Sequence, residues 1–178
     1  MVLDLTRIRQ PETELEKTYE ASAFEGRDHV FRIVAPVDLR FTVYKDRDRY
    51  RLVGRVKTEL ELGCSRCLEP YRTPVDTAFD LRYLPGTENA GDEEREVEND
   101  DLSAAYYRDE QIDLGQLIEE QIYLVLPMKP LCRPECRGLC PQCGANLNAD
   151  TCACESRWVD PRMAGLKAIF SERKNNDA

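Results

Sequence analysis

Eight cysteines stand in four close pairs: Cys64 and Cys67, Cys132 and Cys136, Cys140 and Cys143, Cys152 and Cys154. Thiolates are soft donors, and a C-x-x-C knuckle brings two of them onto one ion without backbone strain. Eight such donors satisfy two closed tetrahedral shells, so the pattern predicts two structural zinc ions. The chain has a single histidine, His29, and shows no open coordination position. Nothing in it therefore predicts a metal-bound water poised for hydrolysis. An iron–sulfur cluster is the alternative cargo for the same thiols.

Spacing narrows the grouping without settling it. Eight residues separate Cys143 from Cys152, enough for a loop that returns Cys152 and Cys154 to the ion held by Cys140 and Cys143. Gly144 suits the tight left-handed backbone behind that knuckle. Cys64, Cys67, Cys132 and Cys136 would then form the other site, closing a loop of more than 60 residues. The rival pairing joins the knuckles Cys64/Cys67 and Cys140/Cys143, as in a zinc ribbon.

Redox context decides between metal and disulfide. Asp4 and Arg7 interrupt the opening stretch before an apolar run can build a signal peptide. No segment approaches the roughly 18 apolar residues of a membrane span. The expected location is cytoplasmic, where thiols stay reduced and paired cysteines bind metal rather than each other. The net charge of −9 is unevenly spread: residues 1–126 sum to −11 and residues 127–178 to +2. Between Arg27 and Lys57 nine basic residues face four acidic ones, either a seat for a phosphate backbone or the solvated face of a sheet.

The elements that must position these thiols are written in periodicity. Val37, Leu39, Phe41 and Val43 alternate with polar residues. After the polar turn Lys45–Arg49, Tyr50, Leu52, Val56, Leu60 and Leu62 take over the buried face, and Tyr71, Val75, Phe79, Leu81 and Tyr83 follow. Three alternating runs predict an antiparallel sheet with one buried face. Phe31–Val34 and Leu3–Ile8 can add strands, while Leu15–Phe24 fits strand or helix. Cys64 and Cys67 sit at a strand junction rather than in a βα turn, which disfavours a thioredoxin-like redox role. Residues 88–101 hold eight acids and one base and read as a solvated loop. Asp113 can cap a helix over 114–125 with Leu114, Leu117, Ile118, Ile122 and Val125 inward. Asp160 and Pro161 can open a second helix over 161–172, with Met163, Leu166, Ile169 and Phe170 inward.

The expected fold is α+β: an antiparallel β-sheet or partly closed barrel with a packing helix and a C-terminal zinc-binding cysteine module. Its boundaries fall at residues 1–126 for the β-rich domain, which carries the acidic loop 88–101 and the helix 114–125, and at 127–178 for the cysteine module with its helix 161–172.

Four stretches together resemble a known family. They are Leu62-Gly-Cys64-Ser-Arg-Cys67-Leu-Glu-Pro70, Ile112-Asp-Leu through Leu126-Pro127-Met-Lys-Pro130-Leu-Cys132, Cys136-Arg-Gly-Leu-Cys140-Pro-Gln-Cys143-Gly-Ala-Asn-Leu-Asn148, and Asp160-Pro-Arg-Met-Ala-Gly-Leu166. In that order they are similar to the YceD-like large ribosomal RNA subunit accumulation proteins, over nearly the whole chain. The resemblance implies a part in the synthesis, processing or stability of large-subunit ribosomal RNA, with no known catalytic activity. It implies ribosomal RNA or a large-subunit pre-ribosomal particle as partner, or a ribosomal protein, and no membrane.

The residues themselves carry no Ser/His/Asp set, phosphate-cradling glycine loop or H-E-x-x-H, so an enzyme is not expected. Arg66, Lys129, Arg133 and Arg137 stand beside the cysteines, where rigid loops can offer cations to phosphates, and are the RNA-binding candidates. Tyr106, Tyr107 and Trp158 could stack on bases, though packing is the plainer role. The competing expectation is a zinc adaptor that binds protein and never touches RNA.

Overall fold

Residues 1–25, 30–86 and 104–154 are described by the computed structural model. The acidic run 88–101 and the expected helix 161–172 lie outside them. One compact unit comprises Met1–Cys64 and Glu69–Cys132; the other comprises Ser65–Leu68 and Arg133–Ala178, of which residues 133–154 are described.

The first unit is mostly sheet. Strand β1 is Val2–Asp4, β2 Glu12–Tyr19, β3 Phe31–Ile33, β4 Val37–Asp46, β5 Arg49–Gly63, β6 Pro70–Pro85, β7 Ala104–Tyr107 and β8 Gln111–Asp113. Six of these form one curled sheet in the order β2-β4-β5-β6-β7, with β3 also paired to β5; β1 and β8 form a separate antiparallel pair. Alternation made β4 and β5 what they are: Val37, Leu39, Phe41 and Val43, then Tyr50, Leu52, Val56, Leu60 and Leu62, are all buried. The odd positions of β6 follow more loosely, with Val75, Phe79 and Tyr83 buried and Tyr71 and Leu81 half-buried. Leu3–Ile8 is only half strand, because Asp4 accepts from the Thr6 amide and turns Leu5–Arg7 into a 3-10 turn. The undecided stretch Leu15–Phe24 divides into the end of β2 and a 3-10 turn at Ala21–Phe24.

Gly54 sits on the buried face of β5, opposite Phe41 on one neighbour and Phe79 on the other. A Cβ there would lie 2.5 Å from Phe41 Cβ and, closer than any real contact, against the Arg40 carbonyl. Only glycine lets β4 and β5 pair at this point.

The expectation of a wholly antiparallel sheet needs one correction. β7 pairs with β6 in parallel, Arg82 with Ala104 through Pro85 with Tyr107. Side-chain period reports which face is buried and carries no information on strand direction. A tight turn follows β7, with Asp109 and Glu110 both left-handed at φ 52° and 55°.

Helix α1, Leu114–Val125, begins where Asp113 accepts hydrogen bonds from the amides of Gly115 and Gln116. Leu114, Leu117, Ile118 and Ile122 are buried, and α1 packs on β6 and β1. Val125, expected inward, is exposed together with Leu124 and Met128, because the helix ends there and the chain leaves through Pro127.

Candidate metal centres

Two knuckles share one backbone design. Cys64–Cys67 joins β5 to β6, and the Cys64 amide donates to the Glu69 carbonyl at 3.0 Å. In Cys140–Cys143, the Cys140 amide donates to the Ala145 carbonyl at 2.8 Å. Each bond reaches five residues along, and each turn needs a left-handed residue just after its second cysteine: Leu68 at φ 63° and Gly144 at φ 74°. Glycine takes that conformation freely, whereas a leucine there costs about 1–2 kcal/mol. Sequence reading identified Gly144; Leu68 carries no turn signal of its own.

The sulfurs gather in two sets. Those of Cys64, Cys67, Cys132 and Cys136 lie within 4.8 Å of one another, as do those of Cys140, Cys143, Cys152 and Cys154. These are the sets that loop length favours over the ribbon pairing. No cysteine is in a disulfide. A zinc tetrathiolate with bonds of about 2.3 Å has sulfur–sulfur edges of about 3.8 Å, so both sets fit a metal after a small contraction. Cys64, Cys67, Cys136 and Cys140 are buried. Four sulfurs brought this close are the donor set that a structural cation takes, with the first set the more buried of the two.

At the second set local electrostatics favours thiolate at Cys140 and disfavours it at Cys152 and Cys154. The amides of Cys143 and Gln142 point at the Cys140 sulfur and lower its pKa to about 6. Cys154 is pushed up to about 12, first by its hydrogen bond to Cys143 and then by burial. Beside Cys64 and Cys132, the Tyr71 phenol is raised by burial and by the negative charge of those sulfurs.

The segment after Cys132 is tied by its own hydrogen bonds. Gly138 takes φ 75°, and a Cβ there would press on the Arg66 carbonyl at 3.1 Å, the same oxygen that accepts from the Leu139 amide. The Arg66 guanidinium donates to the Cys136 carbonyl at 2.9 Å. Asn148, quoted above only as part of a family-like run, is a junction that spacing did not single out. Its Oδ1 accepts from Arg133 Nη2 at 2.9 Å and from the Arg137 amide at 2.8 Å. Its Nδ2 donates to Asn146 Oδ1 at 2.9 Å and to Cys136 Sγ at 3.3 Å.

Of the four RNA-binding candidates, Arg66 and Arg133 are exposed and each donates one hydrogen bond within the protein. The side chains of Lys129 and Arg137 are exposed and have no partner among the described residues. In the basic run between Arg27 and Lys57, five of the nine cations are in ion pairs among the described residues. Arg40 pairs with Glu16 at 2.6 Å, Arg51 with Asp80 at 2.5 Å, Arg55 with Asp76 at 3.0 Å and Lys57 with Asp76 at 3.4 Å, while Arg32 pairs with Glu61. That outer sheet face carries a row of cross-strand ion pairs. Tyr107 is buried, edge-on to Tyr50, with its hydroxyl donating to the Asp48 carbonyl at 2.9 Å, while Tyr106 is exposed. His29 and Trp158 lie outside the described residues.

A family model described as "Large ribosomal RNA subunit accumulation protein YceD" matches residues 52–170. The chain is 32% identical over 158 residues to the large ribosomal RNA subunit accumulation protein YCED homolog 1, chloroplastic, of Zea mays, covering 76% of this chain and 54% of the maize protein. It therefore spans about half the length of that relative. An uncharacterized Mycobacterium bovis protein is 34% identical over 171 residues, 93% of this chain and 79% of its own. The uncharacterized protein YlbN of Bacillus subtilis is 24% identical over 174 residues, 96% and 95% of the two chains. No solved structure matches the chain.

Proposed function

This chain belongs to the YceD family, and from that premise we propose that it promotes the accumulation of large-subunit ribosomal RNA as a zinc-stapled assembly factor rather than an enzyme. The observation that carries the reading is the pair of four-sulfur sets in a chain whose relatives include a protein named for large ribosomal RNA subunit accumulation. Cys64, Cys67, Cys132 and Cys136 would hold one zinc ion, and Cys140, Cys143, Cys152 and Cys154 the other. Bound there, zinc supplies charge neutralisation and cross-linking, with no open position for a reacting water. The proposed place of action is the cytoplasm. Among the described residues no helix is long and apolar enough to cross a membrane.

RNA contact, in this reading, uses cations that the fold leaves uncommitted. Arg137 and Lys129 qualify; Arg66 and Arg133 shape the loops that present them. Exchanging Lys129 and Arg137 for glutamate is expected to leave metal content intact and to weaken association with pre-ribosomal particles in a salt-dependent way. The second reading, an adaptor that binds a ribosomal protein or assembly factor without touching RNA, is favoured by the exposed apolar side chains of Leu124, Val125 and Met128 and by the ion-paired sheet face.

Depleting the protein and measuring mature large- against small-subunit ribosomal RNA tests the assignment, with a fall in that ratio expected. An unchanged ratio would overturn it. Crosslinking the tagged protein in cells and sequencing bound RNA separates the two readings: crosslinks support direct contact, and their absence with co-purifying ribosomal proteins supports the adaptor.

A further inference from the structure

We infer that Asn148 couples the two metal centres, so that closing the second centre tightens the first. Asn148 lies in the stretch that Cys143 and Cys152 bound, and so on the loop that the second sulfur set closes. Its amide nevertheless donates to the sulfur of Cys136, a member of the first set. Ordering that loop places a hydrogen-bond donor on a ligand of the other centre.

The orientation of the amide is dictated by its neighbours. Both groups facing Oδ1, the Arg133 guanidinium and the Arg137 amide, can only donate. On the Nδ2 side, Asn146 Oδ1 must be an acceptor, because the backbone N–H of Asn148 also donates to it at 3.0 Å. Turning Asn148 over would set oxygen against oxygen and nitrogen against two donors. Every hydrogen-bonding position of this side chain is therefore taken, two as donor and two as acceptor. The Arg133 guanidinium polarises the amide from the oxygen end and strengthens the N–H that reaches sulfur. A four-thiolate zinc centre carries a net double negative charge, and such a donor stabilises it by drawing charge from one sulfur. Partners of this kind orient ligands and change metal affinity by 10- to 100-fold, about, when removed.

The loop is anchored independently of Asn148. Leu139 bridges Asn146, the Leu147 amide donates to Gly138 at 2.9 Å, and the Asp150 amide donates to Asn146 at 2.9 Å. Asn148→Asp is thus a narrow change. It keeps an acceptor for Arg133 and Arg137 but loses both donors, turning a carboxylate toward the Cys136 thiolate. Because coupling is reciprocal, the first centre must tighten the second by the same factor.

This inference rests on the metal reading proposed above, and the test separates the two. Cobalt(II) is titrated into reduced full-length protein against a competing chelator, and the thiolate-to-cobalt charge-transfer absorption is followed. Centres are assigned with the double exchanges Cys64→Ser/Cys67→Ser and Cys152→Ser/Cys154→Ser. Opening the second centre is expected to weaken the first about tenfold. Asn148→Asp, with the second centre intact, is expected to do the same and to shift the first centre's charge-transfer band to lower energy, since a sulfur without its hydrogen bond gives up charge more easily. The two changes combined cost no more than either alone. Asn148→Ala, which removes the donor without adding charge, gives the same loss should the aspartate disrupt the loop. First-centre affinity and band position unchanged in Asn148→Ala, or strictly additive effects, overturn the coupling while leaving two metals bound. A protein that takes up no cobalt overturns the metal reading itself, and the coupling with it.

Discussion

Among the described residues, twenty-four apolar side chains share one core in the unit of residues 1–64 and 69–132. In the unit that includes residues 65–68 and 133–154, the buried described residues are Cys67, Cys136, Gly138 and Cys140. The first is held by hydrocarbon, with strand alternation and one amphipathic helix delivering it. Among its described residues the second buries no large apolar side chain fully, and residues 65–68 and 133–154 by themselves cannot offset their ordering entropy by surface burial alone. What it has instead is converging thiols and a web of backbone and asparagine hydrogen bonds. Among the described residues the cysteines are the core of their unit, and on the proposed metal reading the ion there is a folding requirement before it is anything else.

The strongest challenge to that contrast is metal removal. Structural zinc contributes on the order of 10–16 kcal/mol of apparent binding energy in small zinc-dependent folds. Cys140→Ser with Cys143→Ser should therefore release one zinc and abolish hydrogen-exchange protection at residues 138–147, while the amides of β4, β5 and β6 stay protected. Protection that persists near Leu139 and Leu147 without metal would show that the second unit has another source of stability. The equivalent exchange at Cys64 and Cys67 should do more damage, because that knuckle also connects β5 to β6.

Ile118→Ala addresses the other side. The residue is fully buried on α1, so its truncation should cost about 2–5 kcal/mol in denaturant unfolding of the sheet unit. Zinc content at the second centre should not change. Joint loss of stability and second-centre zinc would mean that the two units do not draw on separate sources.

A gain is expected at the turn after β7. Glu110 holds φ 55°, where glycine is at ease, and Glu110→Gly should stabilise the sheet unit by about 1 kcal/mol. A lower thermal midpoint would show that the glutamate side chain makes up for its strained backbone.

The smallest effect concerns the ion-pair lattice. Hydrogen bonding to Arg51 holds the Asp80 carboxyl below its usual pKa. A depressed carboxylate contributes stability above its unfolded pKa and loses that contribution as pH falls through the folded value. Asp80→Asn should therefore be slightly less stable than the parent at neutral pH and indistinguishable from it in strong acid. Because the pair is exposed, added salt should shrink the difference.

How far the sequence anticipated all this follows from what periodicity can encode. Three strands were readable because each buries one face and exposes the other. Glu12–Tyr19 was not, since its alternation runs between charged residues and only Leu15 and Tyr19 are large and apolar. The parallel pairing of β7 could not be read at all, as Ala-Ala-Tyr-Tyr would look the same in either direction. At the centres, the short span from Cys143 to Cys152 hinted at grouping through loop closure. Arg66 and Arg133 are exposed cations, as composition shows, but composition hides the carbonyl or amide to which each also donates. Asn148 was invisible for the same reason: its role lies in four partners brought together only by the fold.

Gly54 gives this architecture a practical handle. Any side chain at that position must push β4 away from β5, and it stands ten residues from the nearest cysteine. Overpacking of that kind typically costs about 1–3 kcal/mol. Alanine at Gly54 should thus behave as a temperature-sensitive allele, normal when cool and failing on warming, with its lesion confined to the sheet. Paired with a cysteine exchange that spares the sheet, it lets a geneticist ask which unit's loss the cell feels first.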